Sequence, residues 1–382
     1  MRKTLRFATR AVCFVSLASA VAFGQHYTQT NLVSNQPGIA PVTDPDLINP
    51  WGMCRSSSSP WWVSDTGTGL STLYNGAGTK QGLVVTIPAA VSGNTGTPTG
   101  AIYNGSTTDF LLGPGLPARF IFATTDGTIA GWNSGAGLTG GATPPSQTAV
   151  TMVSTTDGSV FTGLTSATVG GSIHLYAANF GKGRVDVFDN AFHPVKLDDG
   201  GFRDEELPDH YVPFNVQAIG NDIVVTYALK EPGQELETDG PGMGRVNIYS
   251  SSGRLLRRLE HGSWLNAPWG VALAPTDFGR YSHDLLIAQF AGAGSTQSSG
   301  TIAAYDLVTG RFDGPLEDAM GAPIAINGIW ALSTGNASTG NYDAASVPAA
   351  EIYFTAGPDN HNGGLIGYLS AVPTELTRGN NQ

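Results

Sequence analysis

The sequence predicts an all-β fold, a six-bladed β-propeller closed by an N-terminal strand that completes the last blade. Three observations carry that expectation. A short phrase recurs, Asn-Pro-Trp-Gly at residues 49–52 and Asn-Ala-Pro-Trp-Gly at 266–270, with the two tryptophans 218 residues apart. Each copy opens an alternating apolar segment followed by further strand-like runs, and the same order returns six times at roughly 50 to 60 residues, a spacing typical of propeller blades. Only 13% of the 382 residues are charged and 51 are glycine, a balance that suits many short strands joined by tight turns.

The six units follow in order. The first holds PWGMC, PWWVSD and STLYN from residue 50, and the second TGAIYN, ARFIFATTDG and TIAGWN from 99. The third holds TGLTSA, IHLYAANFG and VDVFD from 162, and the fourth FNVQAIG, DIVVTYAL and VNIYSSSG from 214. The fifth runs WGVALAP, DLLIAQF and TIAAYDL from 269, with a turn at Thr309 and Gly310 and a last run near Phe312. The sixth holds GIWALS, EIYFTAG and LIGYLS from 328, after which the chain turns polar without a fourth strand. HYTQTNLVS at 26–34 is strand-like and unassigned. It supplies the missing strand, so that the ring leaves no bare edge. A single domain over 26–373 is expected, with a polar tail at 374–382. Two sandwich domains would need a mid-chain linker, and the pattern shows no such break.

Arg2, Lys3, Arg6 and Arg10 precede an apolar stretch from Ala11 to Phe23 and small residues around Gly24, the layout of a secretory signal peptide over 1–24, cut near Gly24 or Ala20. The apolar stretch is too short for an ordinary membrane span. A secreted or periplasmic protein without a membrane span is expected. Cys13 leaves with the signal, so Cys54 is alone and no internal disulfide forms. Of 19 basic residues, 15 remain against 30 acidic ones, a net charge of about −15 that disfavours nucleic acid and anionic membrane as partners. A monomer is expected.

FIFATTDGTIAGWN (120–133), LYAANFGKGRVDVFD (175–189), VPFNVQAIG (212–220), LNAPWGVALAPTDFG (265–279) and INGIWALSTGN (326–336) resemble an exported bacterial family of uncharacterised propellers, some carrying a PEP-CTERM sorting tail. The resemblance covers nearly the whole mature chain. It implies a secreted NHL-like or gluconolactonase-like six-bladed fold and brings no established activity. Two departures stand out: the Pro-Glu-Pro tail with its hydrophobic anchor is missing, which argues for release, and the family's Asn-Phe-Gly turn in the fifth unit is replaced by Gln289, Phe290 and a Gly/Ser loop through Gly300.

In a propeller the innermost strands begin on the face that also carries the turns between second and third strands. Function is often carried by loops held on such a rigid scaffold. This places Asn49, Trp51, Thr99, Asn215, Asn266, Trp269, Asn327 and Trp330 at the channel mouth, joined by Asp65, Asp126, Asn179, Lys230, Gln289 and His361 from the turns. Trp51, Trp269 and Trp330 are expected to pack in wedges between blades, and the asparagines to tie adjacent turns. His361, in DNHNGG, reads as a solvated histidine, and His261 precedes the repeated phrase. A metal-dependent site would need hard oxygen ligands for Ca²⁺ or Mg²⁺, for which Asp65, Asp126 and Asn179 are the candidates. The acidic segments 198–209 and 231–239 lack EF-hand spacing and read as solvated loops. There is no Gly-x-Ser-x-Gly elbow, His-x-x-x-His pair, phosphate loop or Cys-x-x-Cys.

Three functions remain open: a binding module using the mouth for an extracellular ligand, protein or glycan; a metal-dependent lactonase-like hydrolase or lyase; and an envelope scaffold.

Overall fold

The computed structural model describes residues 25–138, 140–197, 201–290, 300–335 and 350–375. The expected signal peptide, residues 198–200 of the first acidic segment, the Gly/Ser loop at 291–299 and the end of the polar tail lie outside them.

Short apolar runs punctuated by turn residues give strands throughout, and these form six sheets, antiparallel apart from one two-residue parallel pairing, arranged as a ring. The chain starts with β1 (Tyr27–Ser34) and a two-residue β2 (Val42–Thr43). Blade 1 is β3 (Pro50–Cys54), β4 (Trp61–Asp65), β5 (Leu70–Tyr74) and β6 (Val85–Thr86). Blade 2 is β7 (Pro98–Tyr103), β8 (Phe120–Thr124), β9 (Thr128–Trp132) and β10 (Val150–Ser154). Blade 3 is β11 (Phe161–Val169), β12 (Ser172–Asn179), β13 (Arg184–Phe188) and β14 (Pro194–Val195). Blade 4 is β15 (Tyr211–Ile219), β16 (Asp222–Leu229), β17 (Gly244–Ser250) and β18 (Leu255–Arg258). Blade 5 is β19 (Pro268–Leu273), β20 (Leu285–Gln289), β21 (Ile302–Tyr305) and β22 (Phe312–Pro315). Blade 6 is β23 (Ile329–Thr334), β24 (Glu351–Ala356) and β25 (Leu365–Ala371), and β1 pairs antiparallel with β25 as its fourth strand. The N-terminal strand thus completes the last blade.

The innermost strands β3, β7, β11, β15, β19 and β23 each touch the next, and β23 touches β3. Alternation along each strand sends neighbouring side chains to opposite seams. Leu175 and Ala177 of β12 face blade 2, while Tyr176 and Ala178 face blade 4. Each seam between blades holds its own apolar cluster, and the seam between blades 6 and 1 is continuous with the aromatic centre of the ring.

Every innermost strand carries a β-bulge near its start: between Pro50 and Met53, Pro98 and Ala101, Phe161 and Gly163, Pro213 and Asn215, Pro268 and Val271, and Ile329 and Leu332. A bulge re-aims the side chain it carries. In blades 1, 5 and 6 the bulged position holds Trp51, Trp269 and Trp330, and the residue after it meets the next blade. A Cβ on Gly52 would lie 2.3 Å from the Thr99 carbonyl oxygen, and one on Gly270 would lie 2.2 Å from that of Trp330. The Trp-Gly pair therefore does two jobs: the ring fills the centre, and the glycine lets the adjacent blade close against it. Among the described residues no helix is long and apolar enough to cross a membrane.

Candidate binding site at the channel mouth

The chain reaches the mouth through a repeated turn. The residue at or shortly before the start of the inner strand takes a left-handed φ in four blades, at Asn49 (47°), His210 (70°), Ala267 (43°) and Gly328 (65°). Its carbonyl accepts a hydrogen bond from the residue following the second strand: Thr66, Lys230, Phe290 and Gly357 in turn. Asn49 therefore corresponds to Ala267, although the sequence phrases align it by eye with Asn266.

These turns deliver an aromatic plug. Trp330 is sandwiched between Trp51, at 3.7 Å between centroids and 22° between planes, and Phe290, at 4.2 Å and 17°. Trp269 meets both tryptophans edge-on at 5.9 and 5.8 Å, and Phe214 packs edge-on against Trp51 and Trp330. Phe180 lies 5.5 Å from Phe214, with the Lys230 ammonium 4.9 Å above its ring. The tryptophans thus pack on one another in the ring centre, not in separate wedges between blades as expected. The bulges turn them inward.

Two indoles are tied. Trp269 Nε1 donates to the Thr162 carbonyl at 3.0 Å, from blade 5 to blade 3, and Trp330 Nε1 donates to Asn49 Oδ1 at 2.9 Å. Trp51 Nε1 is buried without a partner. The asparagines act as staples: Asn215 Nδ2 donates to the Trp269 carbonyl at 2.7 Å, and Asn266 Oδ1 accepts from the Gly240 amide at 2.7 Å. Thr99 Oγ1 donates to the Phe161 carbonyl at 2.7 Å, tying blade 2 to blade 3. Asn327 is exposed beside Gly328.

His361 differs from its expected solvated state. It ends a run of three left-handed residues, Asp359, Asn360 and His361, with φ of 56°, 55° and 67°. Its ring lies 5.3 Å from Phe290 and 6.0 Å from Trp330, and its Nε2 is buried without a partner. Burial pulls its pKa below the usual value, so the imidazole is neutral at neutral pH.

The residues proposed as hard-oxygen ligands are bonded inside their own blades. Asp65 ends β4, on the same face as Trp61 and Val63; its Oδ2 accepts from the Thr72 amide at 3.0 Å and hydroxyl at 2.7 Å, while its Oδ1 is buried without a partner among the described residues. Asp126 Oδ2 accepts from the Thr97 amide at 2.8 Å and hydroxyl at 3.0 Å. Asn179 Oδ1 accepts from the amides of Val160 and Lys182, and its Nδ2 donates to Ser159 and Asp186. Gln289, at the matching position of β20, accepts from the Asn266 amide at 2.9 Å and donates to the Ile287 carbonyl at 3.0 Å. The geometry assembles Asp65, Asp126 and Asn179 into no shared ligand set. Among the described residues no group of three or more His, Cys, Asp or Glu is placed to hold a metal ion. In the first acidic segment Asp204 is claimed by Arg258, which holds its carboxyl below the usual range.

Burial raises the Asp65 pKa well above the usual carboxylate range, against the opposing Thr72 hydrogen bonds. The folded state keeps this proton to a higher pH than the unfolded chain does. The group therefore costs stability progressively as pH rises from about 4 toward the folded value. Asp65→Asn has no such titration. Its unfolding free energy relative to the native chain is expected to rise as pH rises above about 4. Urea unfolding over that pH range checks this, and a difference that stays flat with pH would refute it.

Sequence reading missed Phe180, Phe214 and Phe290 as parts of the plug. Phe180 and Phe290 each follow the end of a second strand, after Asn179 and Gln289. The repeat register already paired those positions.

No family model matches the chain. It is 30% identical over 349 residues to uncharacterized protein R648 of Acanthamoeba polyphaga mimivirus, covering 88% of this chain and 78% of the relative. The chain belongs to the family of that mimivirus protein. Among solved structures, the PQQ-bound aldose sugar dehydrogenase of Streptomyces coelicolor matches with a TM-score of 0.50 at 12% identity, over 91% of this chain and 99% of that one. A gluconolactonase of Xanthomonas campestris matches at 0.41 and 12% identity, over 90% and 98%. At such identities the likeness to solved structures shows the propeller fold alone.

Proposed function

We propose that this family member is an exported propeller that binds a neutral, hydroxyl-rich extracellular ligand, a glycan, on its mouth face. The observation that carries this reading is the pair of buried, unpartnered polar atoms set among the mouth aromatics, Trp51 Nε1 and His361 Nε2. A buried polar atom without a partner is costly, and a ligand that pairs with it recovers that cost. An indole N–H donates only, whereas the neutral imidazole accepts at Nε2 when its proton sits on Nδ1. A sugar hydroxyl both donates and accepts, so one class of ligand answers both atoms. The aromatic, sparsely charged rim, with Lys230 packed over Phe180, and the local hydrogen bonds of Asp65, Asp126, Asn179 and Gln289 favour binding over metal-dependent hydrolysis. Export follows from the signal-like N-terminus.

Tryptophan fluorescence reports on this site directly. Titration with cellohexaose, chitohexaose and laminarihexaose is expected to give a saturable change with at least one of them, weakened about tenfold or more by His361→Ala. No response to any of the three, or a response indifferent to His361→Ala, would overturn the reading. A tightly held divalent ion lost on Asp65→Ala would favour the lactonase-like alternative instead.

A further inference from the structure

The end of the ring opposite the mouth carries polar groups whose hydrogen-bonding capacity is not fully used among the described residues. β3 runs away from the mouth to Cys54, β4 begins there at Trp61, and β24 begins there at Glu351, as the pairings Cys54 with Trp62 and Thr334 with Ile352 show. These starts bring Arg55, Trp61, Glu351 and Tyr353 together at the seam between blades 6 and 1. The Arg55 guanidinium lies over the Trp61 indole, 4.6 Å from its centroid. Trp61 packs on Tyr353 at 5.0 Å, and Tyr353 on Tyr368 at 5.6 Å.

Three polar groups here keep unused hydrogen-bonding capacity. Arg55 is half-buried, its pKa pulled below its ordinary value by that burial, yet among the described residues it has no carboxylate or hydrogen-bond partner. In a chain with 30 acidic residues a half-buried arginine has many carboxylates to choose from, and this one is left facing an aromatic ring. Among the described residues Trp61 Nε1 and Glu351 Oε2 are buried without partners, although the Glu351 carboxyl also bonds Tyr353, and burial pushes that carboxyl up to about 7 against this hydrogen bond.

We propose that this seam is a second ligand site, taking a small hydroxylated carboxylate of the uronic acid type. The planar guanidinium, packed on Trp61, matches a carboxylate through two parallel N–H donors. Ligand hydroxyls answer Trp61 Nε1 as acceptors and Glu351 as donors. A singly charged carboxylate suits the site better than a doubly charged phosphate, because Glu351 adds negative charge nearby. The site is independent of the mouth, on the other face of the ring.

Calorimetric titration of the full chain with D-glucuronate tests it, with D-glucose as the neutral counterpart and inorganic phosphate as the competing anion. Glucuronate is expected to bind, about tenfold or more weaker in Arg55→Gln and only a few-fold weaker in Arg55→Lys, which keeps the charge without the fork. His361→Ala should leave it unchanged. Thermal melts of both Arg55 variants confirm that they fold. No glucuronate binding, binding indifferent to Arg55→Gln, or phosphate binding as tightly with the same Arg55 dependence would each overturn the assignment.

Discussion

A chain lacking residues 25–36 is expected to lose the cooperative unfolding transition of the intact ring and to self-associate. β1 pairs with β25 at seven registered positions from Tyr27 with Ala371 to Ser34 with Leu365. Tyr27 and Val33 are fully buried, and Tyr27 Oη donates to the Phe278 carbonyl at 2.9 Å, so β1 also seals the seam between blades 5 and 6. The strand is latched where it begins: the Tyr27 amide donates to the Glu317 carbonyl, and His26 Nδ1 meets Glu375 Oε2 at 2.9 Å. Losing two such buried side chains alone removes about 3–6 kcal/mol, a large share of the 5–15 kcal/mol that holds a domain folded. The bare edge of β25 then pairs with other copies. Size-exclusion chromatography and thermal melts read both effects, and a synthetic peptide of residues 25–36 added in trans should restore a monomer. A truncated chain that melts and elutes as the intact protein does would show that blade 6 stands without its fourth strand.

The second large effect is at the plug. Trp330→Ala is expected to cost about 3–5 kcal/mol, the range for deleting a large buried aromatic. Trp330 is 1% exposed, and its removal empties the space between Trp51 and Phe290 while leaving Asn49 Oδ1 unpaired. Trp330→Phe keeps an aromatic ring in the stack and loses the indole N–H, so a smaller cost of about 1–2 kcal/mol is expected. Urea unfolding followed by far-ultraviolet circular dichroism separates the two. Equal costs would mean that the hydrogen bond to Asn49, and not the stack, sets the stability of the centre.

The fold was legible because its signals are local. Alternation within a strand, a glycine turn after it and a Trp-Gly phrase at the start of an innermost strand can each be read from about ten consecutive residues, and six repetitions remove chance. The unassigned HYTQTNLVS and the missing fourth strand of the sixth unit pointed to each other for the same reason. The site was legible only in part. Trp51, Trp269, Trp330 and His361, expected at the mouth, meet in one aromatic cluster at the ring centre. Their roles depended on direction. Asp65, Asn179 and Gln289 sit at equivalent strand ends, and in all three the side chain is used by a nearby turn or strand. No pattern in the sequence distinguishes a carboxylate that faces a channel from one that accepts from the next strand's amide.

The sequence by itself determined six blades, their register and the strand that closes them, since those follow from hydrophobic periodicity and turn chemistry along the chain. Only the tertiary structure decided that three tryptophans from blades 1, 5 and 6 stack into one plug and that, among the described residues, Arg55 meets the Trp61 ring and no carboxylate. Those outcomes rest on contacts such as Trp330 with Asn49, 281 residues apart, and on bulges that set which way a side chain points. Periodicity names the face of a strand. What that face meets is decided by the blade brought against it.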